Sequence, residues 1–144
     1  MRSVLILVSL VGAFIFAGRS ARRNTAVLRA LQPSLPMDLR GVRLMRLGNW
    51  VWNPLVPAQA KWDYLICVIY GCAGGALLTL ALVVGGWVGP ALLTGIATAS
   101  GIIQAIVSFV KYREAAAHAA GAHDPGRHSH AFRVLRQFWD WLVP

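Results

Sequence analysis

YLICVIYGCAGGALLTLALVVGGWVGPALLTGIATASGIIQAIVSFV, residues 64–110, runs from the position after Asp63 to the position before Lys111 without a single Asp, Glu, Lys or Arg. A helix that crosses a bilayer needs about 20 consecutive apolar residues, and this interval is roughly twice that length. It must fold back on itself. GGWVGP supplies the place: Gly85, Gly86, Gly89 and Pro90 are turn residues, and Trp87 suits a membrane–water interface. The stretch therefore predicts transmembrane helices over 64–84 and 91–110, joined as a tight hairpin.

Upstream, Ser3 to Gly18 is another charge-free apolar run, followed at once by Arg19, Arg22 and Arg23. A secretory signal carries its positive charge before the apolar region, whereas here one Arg precedes and three follow. The run reads as an uncleaved anchor and as the first transmembrane helix, 3–18. It is short for a hydrocarbon layer of about 30 Å, so Arg19 is expected to snorkel or the bilayer to thin. The helix can extend to 31, before Pro33 and Pro36 punctuate the chain. Composition agrees: 57% of residues are hydrophobic and 13% charged, against about a quarter charged in soluble domains. The expected fold class is an all-α integral membrane protein with three transmembrane helices, the second and third forming the hairpin, plus cytoplasmic interfacial or amphipathic helices.

Charge counting orients it. Residues 19–63 carry seven Arg and one Lys against Asp38 and Asp63, and residues 111–144 carry four Arg and one Lys against Glu114, Asp124 and Asp140. Three spans put both basic segments on one side, which the positive-inside rule makes cytoplasmic, leaving the N-terminus outside. The net charge of +9 sits beside spans rather than on a soluble module, so anionic lipid headgroups, not nucleic acid, are the expected counterpart. Arg19, Arg22, Arg23, Arg40, Arg43 and Arg46 are the candidate headgroup contacts. Twelve Arg against two Lys and the lack of a targeting presequence point to a bacterial cytoplasmic (inner) membrane.

Small residues punctuate both hairpin helices. Gly71 and Gly75 stand at i, i+4 with Cys67 one turn earlier; Ala91, Gly95 and Ala99 form one ridge of the third span, and Ala97, Gly101 and Ala105 another. Helices in lipid associate by close backbone approach, which small residues permit. The ridges serve either the hairpin itself or another copy or protein. Polar residues in hydrocarbon are costly and therefore informative. Thr94, Thr98 and Ser108 can return hydrogen bonds to their own helix. Gln104 cannot be disposed of that way; its amide needs a partner across a helix interface or water in a cavity.

Chemistry is otherwise sparse. No span holds a carboxylate, Lys, Arg or His, which argues against a proton relay and against haem held by intramembrane histidines. Cys67 and Cys72 are spaced neither for a disulfide framework nor for zinc. The four histidines fall in HAAGAHDPGRHSH, within a linker 111–130 whose Ala and Gly offer no rigid ligand set. Neither a nucleophile–base pair nor a phosphate-cradling loop is evident. No catalytic residue, cofactor or metal is expected.

Two aromatic cytoplasmic segments remain. In 19–63, Asp38 is placed to cap a short helix with Arg40, Arg43 and Arg46 on one side and Val42, Leu44 and Met45 on the other, followed by Trp50, Trp52 and Trp62. Trp beside Arg anchors proteins at headgroup depth and is also enriched in protein interfaces. In the closing segment 131–143, Arg133, Arg136, Gln137 and Asp140 share one helical arc while Phe132, Phe138, Trp139 and Trp141 lead a wide apolar face. That face needs lipid or a partner's groove to cover it.

The expectation is a non-catalytic accessory, assembly or stabilising subunit of a larger membrane complex, with lipids and other membrane subunits, or itself, as partners. In architecture, though in no motif, three spans with the N-terminus out and a basic cytoplasmic tail resemble the three-span phage holins. That resemblance implies a homo-oligomeric, membrane-permeabilising alternative in which Gln104 and the Thr94–Ser108 stripe line water. A small regulator that tethers a cytosolic protein through residues 131–144 is a third reading.

Overall fold

The computed structural model describes residues 1–43 and 47–119. Among them there is no strand, and three helices are long and apolar enough to cross a membrane. They are α1, Arg2–Leu31; α2, Ala58–Gly85; and α3, Val88–Ala119. At 1.5 Å per residue each is longer than about 40 Å, which exceeds a hydrocarbon layer of about 30 Å. The surplus lies at the charged ends, where α2 begins with AQAKWD and α3 closes with KYREAAAHA. Residues 111–119, read from sequence as linker, thus continue the third helix.

Each boundary has a local cause. α1 gives way to a 3-10 turn, Gln32–Ser34, whose Pro33 has no N–H to extend an α-helical ladder. α2 starts behind Pro57 and ends where Gly86 takes φ +83°, a left-handed conformation that costs a residue without Cβ little. The Gly86 and Trp87 amides then satisfy the Val83 and Leu82 carbonyls at 3.0 and 2.9 Å. α3 begins at Val88, so Pro90 occupies its first turn, where the missing N–H has no intrahelical partner to lose.

α2 is the central helix. Along α1 the contacts pair Arg2 with Val84, Ser20 with Cys67 and Arg23 with Asp63, so the two helices run in opposite directions. Along α3, Thr79 meets Thr94 and Tyr64 meets Gln104, again antiparallel. α1 and α3 share no comparable interface. They flank α2 and leave a furrow between them.

The described connector residues, 32–43 and 47–57, fold over the end shared by the α1 C-terminus and the α2 N-terminus. Leu35, Leu47, Val51 and Val56 pack there with Val27 and Leu31 of α1 and Ala60 and Tyr64 of α2, all buried. Elsewhere large apolar side chains face outward, among them Val4, Leu7, Val8 and Phe14 on α1 and Leu92, Leu93 and Ile96 on α3. Such extended apolar surface is rare on water-soluble monomers and suits a hydrocarbon surround.

One local expectation needs correction. Asp38 does not cap a short helix: it lies inside a 3-10 turn, Met37–Leu39, entered from Pro36 with no side-chain capping bond. Arg40 is extended and Gly41 takes φ +91°, so no helix runs on from Asp38 through these two residues. Arg46, the remaining linker histidines and the amphipathic segment 131–143 with Phe132, Phe138, Trp139 and Trp141 lie outside the described residues.

Candidate functional site

The furrow between α1 and α3 is a groove of about 760 Å³. Its floor is the small-residue run of α2, where Gly71, Cys72, Gly74 and Gly75 succeed one another. The α1 wall carries Ala13, Phe14, Ala17, Ser20, Ala21 and Asn24; the α3 wall carries Thr94, Ala97, Thr98, Gly101 and Gln104. The groove exists because the glycines of α2 draw both neighbours close without filling the space between them.

A Cβ added at Gly74 would lie 3.3 Å from the Ala13 carbonyl oxygen and 3.4 Å from Phe16 Cβ, so α1 rests on backbone there. One at Gly75 would come within 2.5 Å of Thr98 Oγ1, and one at Gly101 within 3.0 Å of Cys72 Sγ. Adjacent glycines of α2 thus serve different helices. Gly71 faces the groove, its nearest neighbour for such a Cβ being Ser20 Oγ at 3.7 Å, and Gly95 lies against Thr79 at the same distance. Ala99 is exposed, outside the groove.

The polar side chains are largely spent within the chain. Gln104 Nε2 donates to the Tyr64 hydroxyl at 2.8 Å, joining α3 to α2 at one end of the groove. Thr98 Oγ1 donates to the Thr94 carbonyl at 2.7 Å, and Thr94 Oγ1 lies within bonding distance of the Pro90 and Ala91 carbonyls and 3.1 Å from Thr79 Oγ1. Ser108 is buried one turn beyond Gln104. Ser20 Oγ donates to the Cys67 carbonyl at 2.9 Å and approaches its Sγ at 3.4 Å.

Just beyond the Tyr64 end, Arg23 and Asp63 form an ion pair between α1 and α2, with side-chain exposures of 44% and 13%. Arg19, Arg22, Arg40 and Arg43 are exposed. The three tryptophans divide. Trp50 and Trp52 pack against the connector core, Trp52 meeting the Tyr64 ring edge-on at 5.9 Å. Trp62, 42% exposed, lies 5.4 Å from Tyr112 and bridges α2 to α3 at the surface.

Sequence reading singled out Gln104, Gly71, Gly75 and Gly101, which the fold gathers around one groove. It missed α1 as a packing partner of α2, and with it Gly74, Ser20 and the Arg23–Asp63 pair. A signal for the pair existed: Asp63 is the last charge before a long neutral interval, and an anion left there calls for a cation nearby. Among the described residues no group of three metal-ligating side chains converges. No protein-family model matches this chain, no curated protein matches it, and no solved structure matches it.

Proposed function

We propose that this protein is a non-catalytic accessory subunit that assembles with, or stabilises, a larger membrane protein complex. The observation that supports this most directly is the internal use of intramembrane polarity. Gln104, Thr79, Thr94 and Thr98 all bond within the chain, which leaves an apolar exterior suited to lipid and to neighbouring helices. In this reading α1, α2 and α3 span a bacterial cytoplasmic membrane, α2 and α3 as a hairpin, with the N-terminus outside and the basic segments inside. Docking uses the exposed apolar face of the hairpin, with Leu92, Leu93 and Ile96 on α3, and, on the cytoplasmic side, the Trp62–Tyr112 pair and residues 131–143. Purification in several mild detergents tests it: a partner at fixed stoichiometry is expected, and a lone monomer in all of them rejects the reading.

A membrane-permeabilising reading keeps one observation in its favour, since Thr94, Thr98 and Gln104 line an open groove. It predicts conductance that Gln104→Leu alters. Expression without depolarisation, or conductance indifferent to that substitution, argues against it.

A further inference from the structure

We propose that α1 holds the phosphates of the adjoining lipids about 6 Å deeper in the bilayer than the α2–α3 hairpin does, through Arg19 and Arg22, which lie outside the groove. The inference rests on the helices spanning a bilayer, and not on the subunit reading. Arg2 with Val84, Ser20 with Cys67 and Arg23 with Asp63 set α1 and α2 in one antiparallel register. Cys72 against Gly101, Gly75 against Thr98 and Thr79 against Thr94 do the same for α2 and α3. In that common register Arg23, Asp63 and Val110 stand at one level, so α2 and α3 meet their first charges, Asp63 and Lys111, together. α1 meets its own four residues sooner, at Arg19, and four residues of helix are about 6 Å. At the opposite end the helices are level, because Arg2 bonds to the Val84 carbonyl beside the hairpin turn. The charge-free residues 64–84 of α2 are about 32 Å long and match a hydrocarbon layer of about 30 Å, whereas residues 3–18 of α1 give about 24 Å.

The helices cannot escape this mismatch by moving. Shifting or tilting all three to raise Arg19 toward its nearer surface draws Arg2, tied to α2, into the opposite leaflet. Sliding α1 alone breaks all three contacts that fix its register. Snorkelling works against helix geometry, since side chains lean toward the N-terminus of their own helix, which for Arg19 is toward the bilayer centre. Arg19 and Arg22 are exposed one turn apart, and neither bonds to another described residue. Asp63 on the neighbouring helix is engaged by Arg23. A guanidinium left in hydrocarbon is costly, and phosphate oxygens match its paired donors. Gly18 leaves room for the approach, because even a Cβ there would meet nothing within 4 Å. The phosphates therefore descend to Arg19, and water follows them, on the α1 side alone.

The test is electron paramagnetic resonance of a nitroxide on single cysteines, in the full chain with Cys67 and Cys72 replaced, at high dilution in vesicles of phosphatidylcholine and phosphatidylglycerol. Gly18 on α1 and Ile106 on α3 are both exposed, and in the common register Ile106 lies one residue nearer the charged end. Depth alone therefore makes Ile106→Cys the wetter site. The ratio of collisions with a neutral nickel chelate to collisions with oxygen is expected instead to be at least threefold higher at Gly18→Cys. Arg19→Leu with Arg22→Leu, which leaves the Arg23–Asp63 pair intact, should bring the Gly18→Cys ratio down to that of Ile106→Cys, with helicity unchanged by circular dichroism. Vesicles of diglucosyldiacylglycerol, which has no phosphate, should do the same. Equal ratios at the two positions, or a contrast that survives either change, overturns the proposal. So does a label at position 18 shielded from both collision partners, which means that protein and not lipid covers Arg19. The subunit reading fails on a different result, the absence of a stoichiometric partner.

Discussion

Arg23 of α1 and Asp63 of α2, forty residues apart in sequence, form an ion pair that ties the first helix to the central one. Asp63 is nearly buried while Arg23 keeps solvent contact, so the pair lies between the weak surface case and the costly interior one. Asp63→Ala should destabilise the fold by about 1–2 kcal/mol after allowance for screening at Arg23. The exchange Arg23→Asp with Asp63→Arg should recover at least half of that loss. Thermal unfolding in detergent reads both, and an exchange no better than the single variant rules out a direct pair.

Gly74 and Gly71 lie one turn apart on α2 but face different surroundings. Ala for Gly in a helix gains about 0.5–1 kcal/mol from propensity alone. At Gly71 nothing opposes that gain, and Gly71→Ala should be neutral or stabilising by that amount. At Gly74 the new methyl meets α1 backbone, which cannot rotate aside. Gly74→Val should therefore cost about 1–3 kcal/mol by overpacking. Equal effects at the two sites in the same unfolding assay would contradict this placement of α1.

The Tyr64–Gln104 bond should be visible as a coupling. Interhelical hydrogen bonds in membranes average about 0.6 kcal/mol, with about 1.7 at the upper end. A double-mutant cycle of Tyr64→Phe and Gln104→Leu should give a coupling in that range. Strict additivity means that Gln104 has another partner.

Ser20 Oγ lies 3.4 Å from Cys67 Sγ, so Ser20→Cys should place two thiols in reach of a disulfide. Mild oxidation should link α1 to α2 through Cys67 and leave Cys72, which packs toward Gly101 of α3, free. Non-reducing peptide mapping distinguishes this from a link to Cys72, which would mean a different register.

Orientation is checked by single cysteines in a chain with Cys67 and Cys72 replaced. Ser3→Cys should react with a membrane-impermeant maleimide from outside the cell, and Arg113→Cys only after permeabilisation. The reverse pattern would invert the proposed topology.

Residues 64–110 announce two helices and a turn because charge is too costly in hydrocarbon to be scattered, and its absence over that length leaves little else to form. Gln104 could be recognised as needing a partner for the same reason. Its partner could not be named: Tyr64 stands forty positions away and comes opposite only once α2 and α3 take their register. Gly74 escaped notice because a run of small residues does not state which one each neighbour uses. The Asp38 cap failed because Pro36 and Gly41 bracket it, and backbone limits at proline and at positive φ outweigh a pattern of alternating Arg and apolar residues.

Sequence by itself determined that the described chain is helical, with three segments apolar enough to cross a membrane, because helix length and hydropathy are local properties. Tertiary structure decided that α2 is the centre, that α1 rests on Gly74 while α3 rests on Gly75, and that a groove remains between them. Those outcomes depend on which face of each helix meets which neighbour, and between helices as uniformly apolar as these that choice follows from shape and a few polar contacts, not from hydrophobic pattern.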